Sequence, residues 1–229
     1  QQQLVRQILW NRLIAVVEEQ ANVLLKTAFG TITREAGDLS AGVYDTKGRM
    51  LAQAVTGTPG HVNTMATAVA HFLDRFPAAS LEPGDVLVTN DPWMGTGHLF
   101  DFVTVTPAFL DGRLIGFFAS TCHLIDVGGR GFVAEASSVY EEGLYVPHMK
   151  LMIGGKDAVG KPNETLLAIL MGNSREPMQV RGDLLGLVSC NEVATRRLAE
   201  MLREFGLADL DTLGEHIIST SRASMLEAI

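Results

Sequence analysis

Residues 98–126 read HLFDFVTVTPAFLDGRLIGFFASTCHLID, and the fold turns on this stretch. Two β-prone runs, Phe102 to Leu110 and Leu114 to Cys122, flank Asp111-Gly112, a pair with hairpin-turn chemistry. A histidine, two apolar residues and an aspartate stand at both ends: His98 to Asp101 before the hairpin, His123 to Asp126 after it. With a three-residue loop centred on Gly112, Asp101 lies opposite His123 and His98 opposite Asp126. A two-residue loop shifts the register by one and swaps faces. Residues three apart on a straight strand face opposite ways, so both chains must bend as they leave the ladder; Gly95, Gly97, Gly128 and Gly129 make bending easy. Imidazole with carboxylate is the donor mixture that suits zinc, manganese or iron, and a metal so held can activate water. The plainer alternatives are a polar loop residue for His98, a strand residue facing water for Asp101 and a hydrogen-bonded strand-end histidine for His123. Cys122 adjoins His123, but neighbours on a strand point apart, and a buried cysteine behaves as a small apolar residue.

Around the hairpin, 229 residues with 47% hydrophobic content suffice for a packed core. The formal charge of −8 argues against nucleic acid and anionic membranes as partners. Cys122 and Cys190 form no CxxC pair, so a reducing cytoplasm is the expected setting. No targeting segment or apolar run of about 18 residues is apparent.

Leu4, Ile8, Leu9, Leu13, Val16, Val17, Val23 and Leu24 recur near the helical period, predicting one long helix that ends near Gly30. Leu39 to Ala54 reads as a hairpin turning at Thr46-Lys47-Gly48, with Asp38 just before its first strand. A helix over Thr64 to Phe76 closes at Pro77, and a strand follows at Val86 to Val88. From Gly131 to about Pro162 the chain reads as a long irregular connection. Helices are predicted over Glu164–Met171, Met178–Phe205 closed by Gly206, and Asp211–Ile229. The fold class is α+β: a mixed β-sheet and hairpin core bearing the metal site, a long N-terminal helix and a helical C-terminal segment, within one domain over residues 1–229.

His61, presented by Thr56-Gly57-Thr58-Pro59-Gly60, could be a base, a substrate ligand or a helix cap. Asp38 reads locally as a turn residue. Asn90 and Asp91 suit an Asx turn before Pro92. Gly128-Gly129-Arg130-Gly131 could cradle an anion through backbone amides, but no phosphate-loop lysine accompanies it.

In order along the chain stand Gly37-Asp38-Leu39-Ser40 with Val43-Tyr44-Asp45, Gly48-Arg49, the segment from Asn90-Asp91-Pro92 to His98 and Asp101, His123 with Asp126-Val127-Gly128-Gly129, and Glu141-Glu142-Gly143-Leu144. Together they resemble the hydantoinase B/oxoprolinase family, which includes B-type subunits of ATP-dependent hydantoinases and lactamases and related subunits of acetone and acetophenone carboxylases. The resemblance implies a hetero-oligomer in which an A-type partner uses ATP to phosphorylate a cyclic amide such as a hydantoin or lactam. A divalent metal in the B-type subunit then serves its hydrolysis; in the carboxylase branch it serves carboxylation. Carried over by motif, Asp38, His98, Asp101 and His123 match the metal ligands, which raises Asp38 above its local reading. Asp126 and His61 become acid/base or supporting candidates. Family members are usually more than twice as long, so the chain resembles their N-terminal portion. Trp93 and Gly95 to Phe100 depart from the tyrosine and proline forms of ordinary hydantoinases, which keeps the carboxylase branch open.

Overall fold

The computed structural model describes residues 2–155 and 159–229. Part of the connection expected between Gly131 and Pro162, residues 156–158, lies outside the described residues. The chain opens with helix α1 (Gln2–Thr27) and passes through a single π turn (Ile32–Ala36) into the hairpin β1 (Leu39–Tyr44) and β2 (Met50–Gln53). Helix α2 (His61–Arg75) leads to β3 (Val86–Thr89), then to the long hairpin β4 (Asp101–Leu110) and β5 (Arg113–His123). After a short helix α3 (Val139–Glu142) come β6 (Met149–Ile153), β7 (Lys161–Pro162) and three helices, α4 (Glu164–Gly172), α5 (Pro177–Phe205) and α6 (Asp211–Ala228). The predicted helices and both hairpins are present; β6 and β7 are additions that the irregular reading of that region lacked.

The strands form one sheet in the order β2-β1-β5-β4-β3-β6-β7. The α+β class expected from the sequence is present, and every ladder among the described residues is antiparallel. The reason is connectivity. Parallel neighbours need a crossover of a dozen or more residues, and the long crossover through α2 joins β2 to β3, which are not neighbours in the sheet.

Both sheet faces are covered, which is why β1 and most of β4 and β5 are buried at consecutive positions instead of alternating. On one face Ala41, Val43, Phe102 and Phe118 meet α1 and α5, whose Leu13, Val17, Leu24, Leu184, Leu187 and Leu198 repeat at helical spacing and are fully buried. Each such leucine contributes roughly 2 kcal/mol of transfer free energy. On the other face Tyr44, Val103, Val105, Phe117 and Ala119 pack against Met65, Val69 and Phe72 of α2.

The central hairpin turns through two residues, not three. Asp111 (φ 51°) and Gly112 (φ 78°) make the tight turn, with Leu110 opposite Arg113. That loop alone would place Asp101 out of register with His123. A β-bulge corrects it: Phe109 faces Leu114 and Ala108 faces Gly116, so Ile115 is the extra residue and Asp101 pairs with His123 after all. Gly116 sits at φ 155°, and a Cβ there would lie 2.6 Å from the Tyr44 carbonyl oxygen, so the bulge needs glycine.

Candidate metal centre

The site is a rung of the sheet. Leu39 pairs with Cys122 across β1 and β5, and the His123 amide donates to the Asp38 carbonyl (3.3 Å), so the ladder extends one step to place Asp38 beside His123. His123 in turn pairs with Asp101 across β5 and β4. Directly paired residues project from the same face. Asp38, His123 and Asp101 therefore stand side by side on three adjacent strands, on the face covered by α2. The turn after α1 holds this end of the sheet: Asp183 accepts from the Phe29 amide (2.7 Å), and Thr33 Oγ1 donates to the His123 carbonyl (3.0 Å).

Two further histidines close over the rung. The segment after β2 crosses the start of β1 so tightly that a Cβ on Gly57 (φ 153°) would lie 2.6 Å from the Leu39 carbonyl oxygen. This crossing brings Thr58 Oγ1 to donate to Asp38 Oδ1 (2.6 Å) and sets His61, the first residue of α2, over Asp101. His98 arrives by a turn in which the Asp101 amide donates to the His98 carbonyl (3.4 Å). The first HxxD phrase is thus a turn entering a strand, which lets both its polar residues reach one place.

The polar atoms of the cluster lie close together. His123 Nδ1 lies 3.3 Å from Asp101 Oδ1 and 3.6 Å from Asp38 Oδ2, and His98 Nε2 lies 3.3 Å from Asp101 Oδ2. Asp101 Oδ1 and both ring nitrogens of His123 are buried and make no hydrogen bond among the described residues. Orphaned buried polar groups are costly, and His98, Asp101 and His123 lie close enough together that they could hold a metal ion. His61 differs: its Nε2 bonds Asp101 Oδ2 (2.9 Å) and its Nδ1 meets Ser40 Oγ (2.9 Å). Asp38, His61 and Asp101 also lie close enough to hold an ion, but both nitrogens of His61 are already engaged, which suits a group that orients a ligand carboxylate.

Electrostatics follow from the same contacts. Burial alone would raise the Asp101 pKa, but its contacts with His123, His61 and His98 hold it well below the usual carboxylate range. Burial opposes charge on His98 as well, yet Asp101, Glu142 and Asp38 outweigh it and raise its pKa. These contacts favour the carboxylate form of Asp101, the form in which a carboxyl group binds a metal.

Asp126 is not brought into this cluster. Its carboxylate accepts from the Arg175 amide, from the Arg175 guanidinium and from the Gly128 amide (3.2 Å). The second HxxD phrase leaves its strand and turns away. The glycine nest beside it is filled from within: the Arg130 amide donates to the Glu141 carbonyl (2.9 Å), the Gly131 amide to Gly128, and the Arg130 side chain pairs with Glu141. Cys122 and Cys190 are buried free thiols, and burial pushes both pKa values up, Cys190 to about 12. Ser40, Thr58, Thr96 (Oγ1 to Asp101 Oδ2, 3.1 Å), Glu142 and Arg175 were not foreseen as site groups. Ser40, Thr96 and Glu142 lie in the family phrases and Thr58 in the segment that presents His61, whereas Arg175 had no sequence signal.

The sequence pattern of the hydantoinase B/oxoprolinase family matches residues 2–229. The chain belongs to this family. Among hydantoinase B/oxoprolinase relatives, the 5-oxoprolinase PfmaA of Pestalotiopsis fici is 32% identical over 64% of this chain and 12% of its own length. The crystal structure of the ATP-dependent caprolactamase from Pseudomonas jessenii superposes with a TM-score of 0.82 at 25% identity, over 93% of this chain and 36% of that one. A nucleotide-free acetone carboxylase shares the fold, with a TM-score of 0.75 at 24% identity over 88% of this chain and 26% of that one. The chain spans about a third or less of the length of the first curated relatives it matches. No helix among the described residues is long and apolar enough to cross a membrane.

Proposed function

We propose that residues 1–229 form the metal-binding catalytic domain, the N-terminal portion, of a B-type subunit in an ATP-dependent hydantoinase/oxoprolinase-like amidohydrolase. Its substrate is a cyclic amide, a hydantoin or lactam, phosphorylated by an A-type partner in a cytoplasmic hetero-oligomer. The observation that carries this is the cluster of His98, Asp101 and His123 with its unpartnered buried donors, with Asp38 beside His123 on the same rung. Family membership and the likeness to a 5-oxoprolinase and a caprolactamase support the amide branch.

Asp38, His98, Asp101 and His123 hold a divalent zinc, manganese or iron ion. Such an ion supplies Lewis acidity, polarising an oxygen and making a water molecule acidic near neutral pH. His61, fixed between Ser40 and Asp101, holds the Asp101 carboxylate in place and is the acid/base group of this reading. Two carboxylates facing three imidazoles keep the centre close to neutral once a dication is bound.

The test is reconstitution of the full-length chain with its A-type partner, ATP and a lactam. Ring-opened product formed with ADP and phosphate supports the proposal. Incorporation of labelled bicarbonate without ring opening transfers the chain to the carboxylase branch.

A further inference from the structure

Phe132 is out of place by ordinary rules of burial. It is 69% exposed, yet its ring meets His123 edge-on with centroids 4.8 Å apart, packs against Phe100 at 5.2 Å and lies 5.9 Å from His98. The Val133 amide donates to the Gly131 carbonyl (2.9 Å), which makes a three-residue turn with Phe132 at its apex. Arg175 fixes the base of this turn: its guanidinium donates to the Gly128 carbonyl (2.9 Å) while it pairs with Asp126, itself nearly fully buried. The ion pair ties the loop that carries the ring to the residues after α4. One side of the ring rests on imidazoles of the metal centre and the other is open to water.

Small-molecule sites combine an apolar wall with a few convergent polar groups. We propose that Phe132 is the apolar wall of a substrate subsite, taking the methylene face of a cyclic amide whose amide carbon is directed at the metal centre, and that Asp126 and Arg175 are positioning residues for it. The identity of the ligand as a cyclic amide rests on the function proposed above. A wall of this kind favours rings with an unbroken run of methylenes over rings that carry a charged substituent.

The experiment measures equilibrium binding of ε-caprolactam and of 5-oxoproline to the metal-loaded full-length chain. Loss of an aromatic contact predicts that Phe132→Ala weakens caprolactam about fivefold, weakens 5-oxoproline less than twofold and leaves metal content unchanged, with Phe132→Leu intermediate. Arg175→Ala, which keeps the Phe132 side chain but loosens its loop, shifts the same ratio in the same direction. Equal effects on both compounds, no effect on either, or a wild-type protein that binds neither overturns the subsite. Binding that behaves as expected without turnover in the reconstituted complex counts against the proposed function alone.

Discussion

Asp101 is the most heavily contacted residue of the centre, with His61, His98 and Thr96 on one oxygen and His123 facing the other. His61 acts through this carboxylate, so His61→Ala is expected to keep the metal but bind it roughly 10–100-fold more weakly, as read by competition with a chromophoric chelator; an unchanged affinity would count against that role. Asp126 makes a separate prediction. Burial would raise its pKa, but Arg175 and the Gly128 amide lower it below the ordinary carboxylate value. A carboxyl whose folded pKa is depressed contributes stability above its unfolded pKa, about 4, and loses that contribution as pH falls through the folded value. The difference in urea midpoint between wild type and Arg175→Ala is therefore expected to be full near neutrality and to shrink below about pH 4. A difference that grows on acidification would contradict the pairing.

The β4–β5 hairpin fixes which residues share a face. Its strands and its Asp111-Gly112 turn were legible from β-propensity and turn chemistry. The bulge at Ile115 was not, because a two-residue turn with a bulge and a three-residue turn yield the same pairing of Asp101 with His123 and differ only near Gly116. Gly116→Ala is expected to destabilise the protein by about 1–3 kcal/mol, from strain at a positive φ together with the clash on Tyr44, measured as a lowered urea midpoint. A midpoint within error of wild type would show that the bulge tolerates a side chain. The strand β6 is not legible locally because Met149–Ile153 is held by pairing with β3, a partner distant in sequence.

Across the whole molecule, three layers bring one sheet end, one helix start and one loop to a single point. Helical periodicity made α1, α2 and α5 legible, and the paired HxxD phrases made His98, Asp101 and His123 legible. Asp38 was recoverable only from the family phrase around it, since its place depends on β1 lying beside β5. Phe132 and Arg175 carry no local signal, because their roles exist only after the loop from Val127 folds back on the residues after α4. The most direct measurement is the divalent metal content of purified full-length wild-type protein and of folded Asp101→Asn and His98→Ala/Asp101→Ala variants, by inductively coupled plasma mass spectrometry. About one ion per chain in the wild type, lost in both variants, is the predicted result; equal metal in all three would contradict the assignment of this rung as the metal centre.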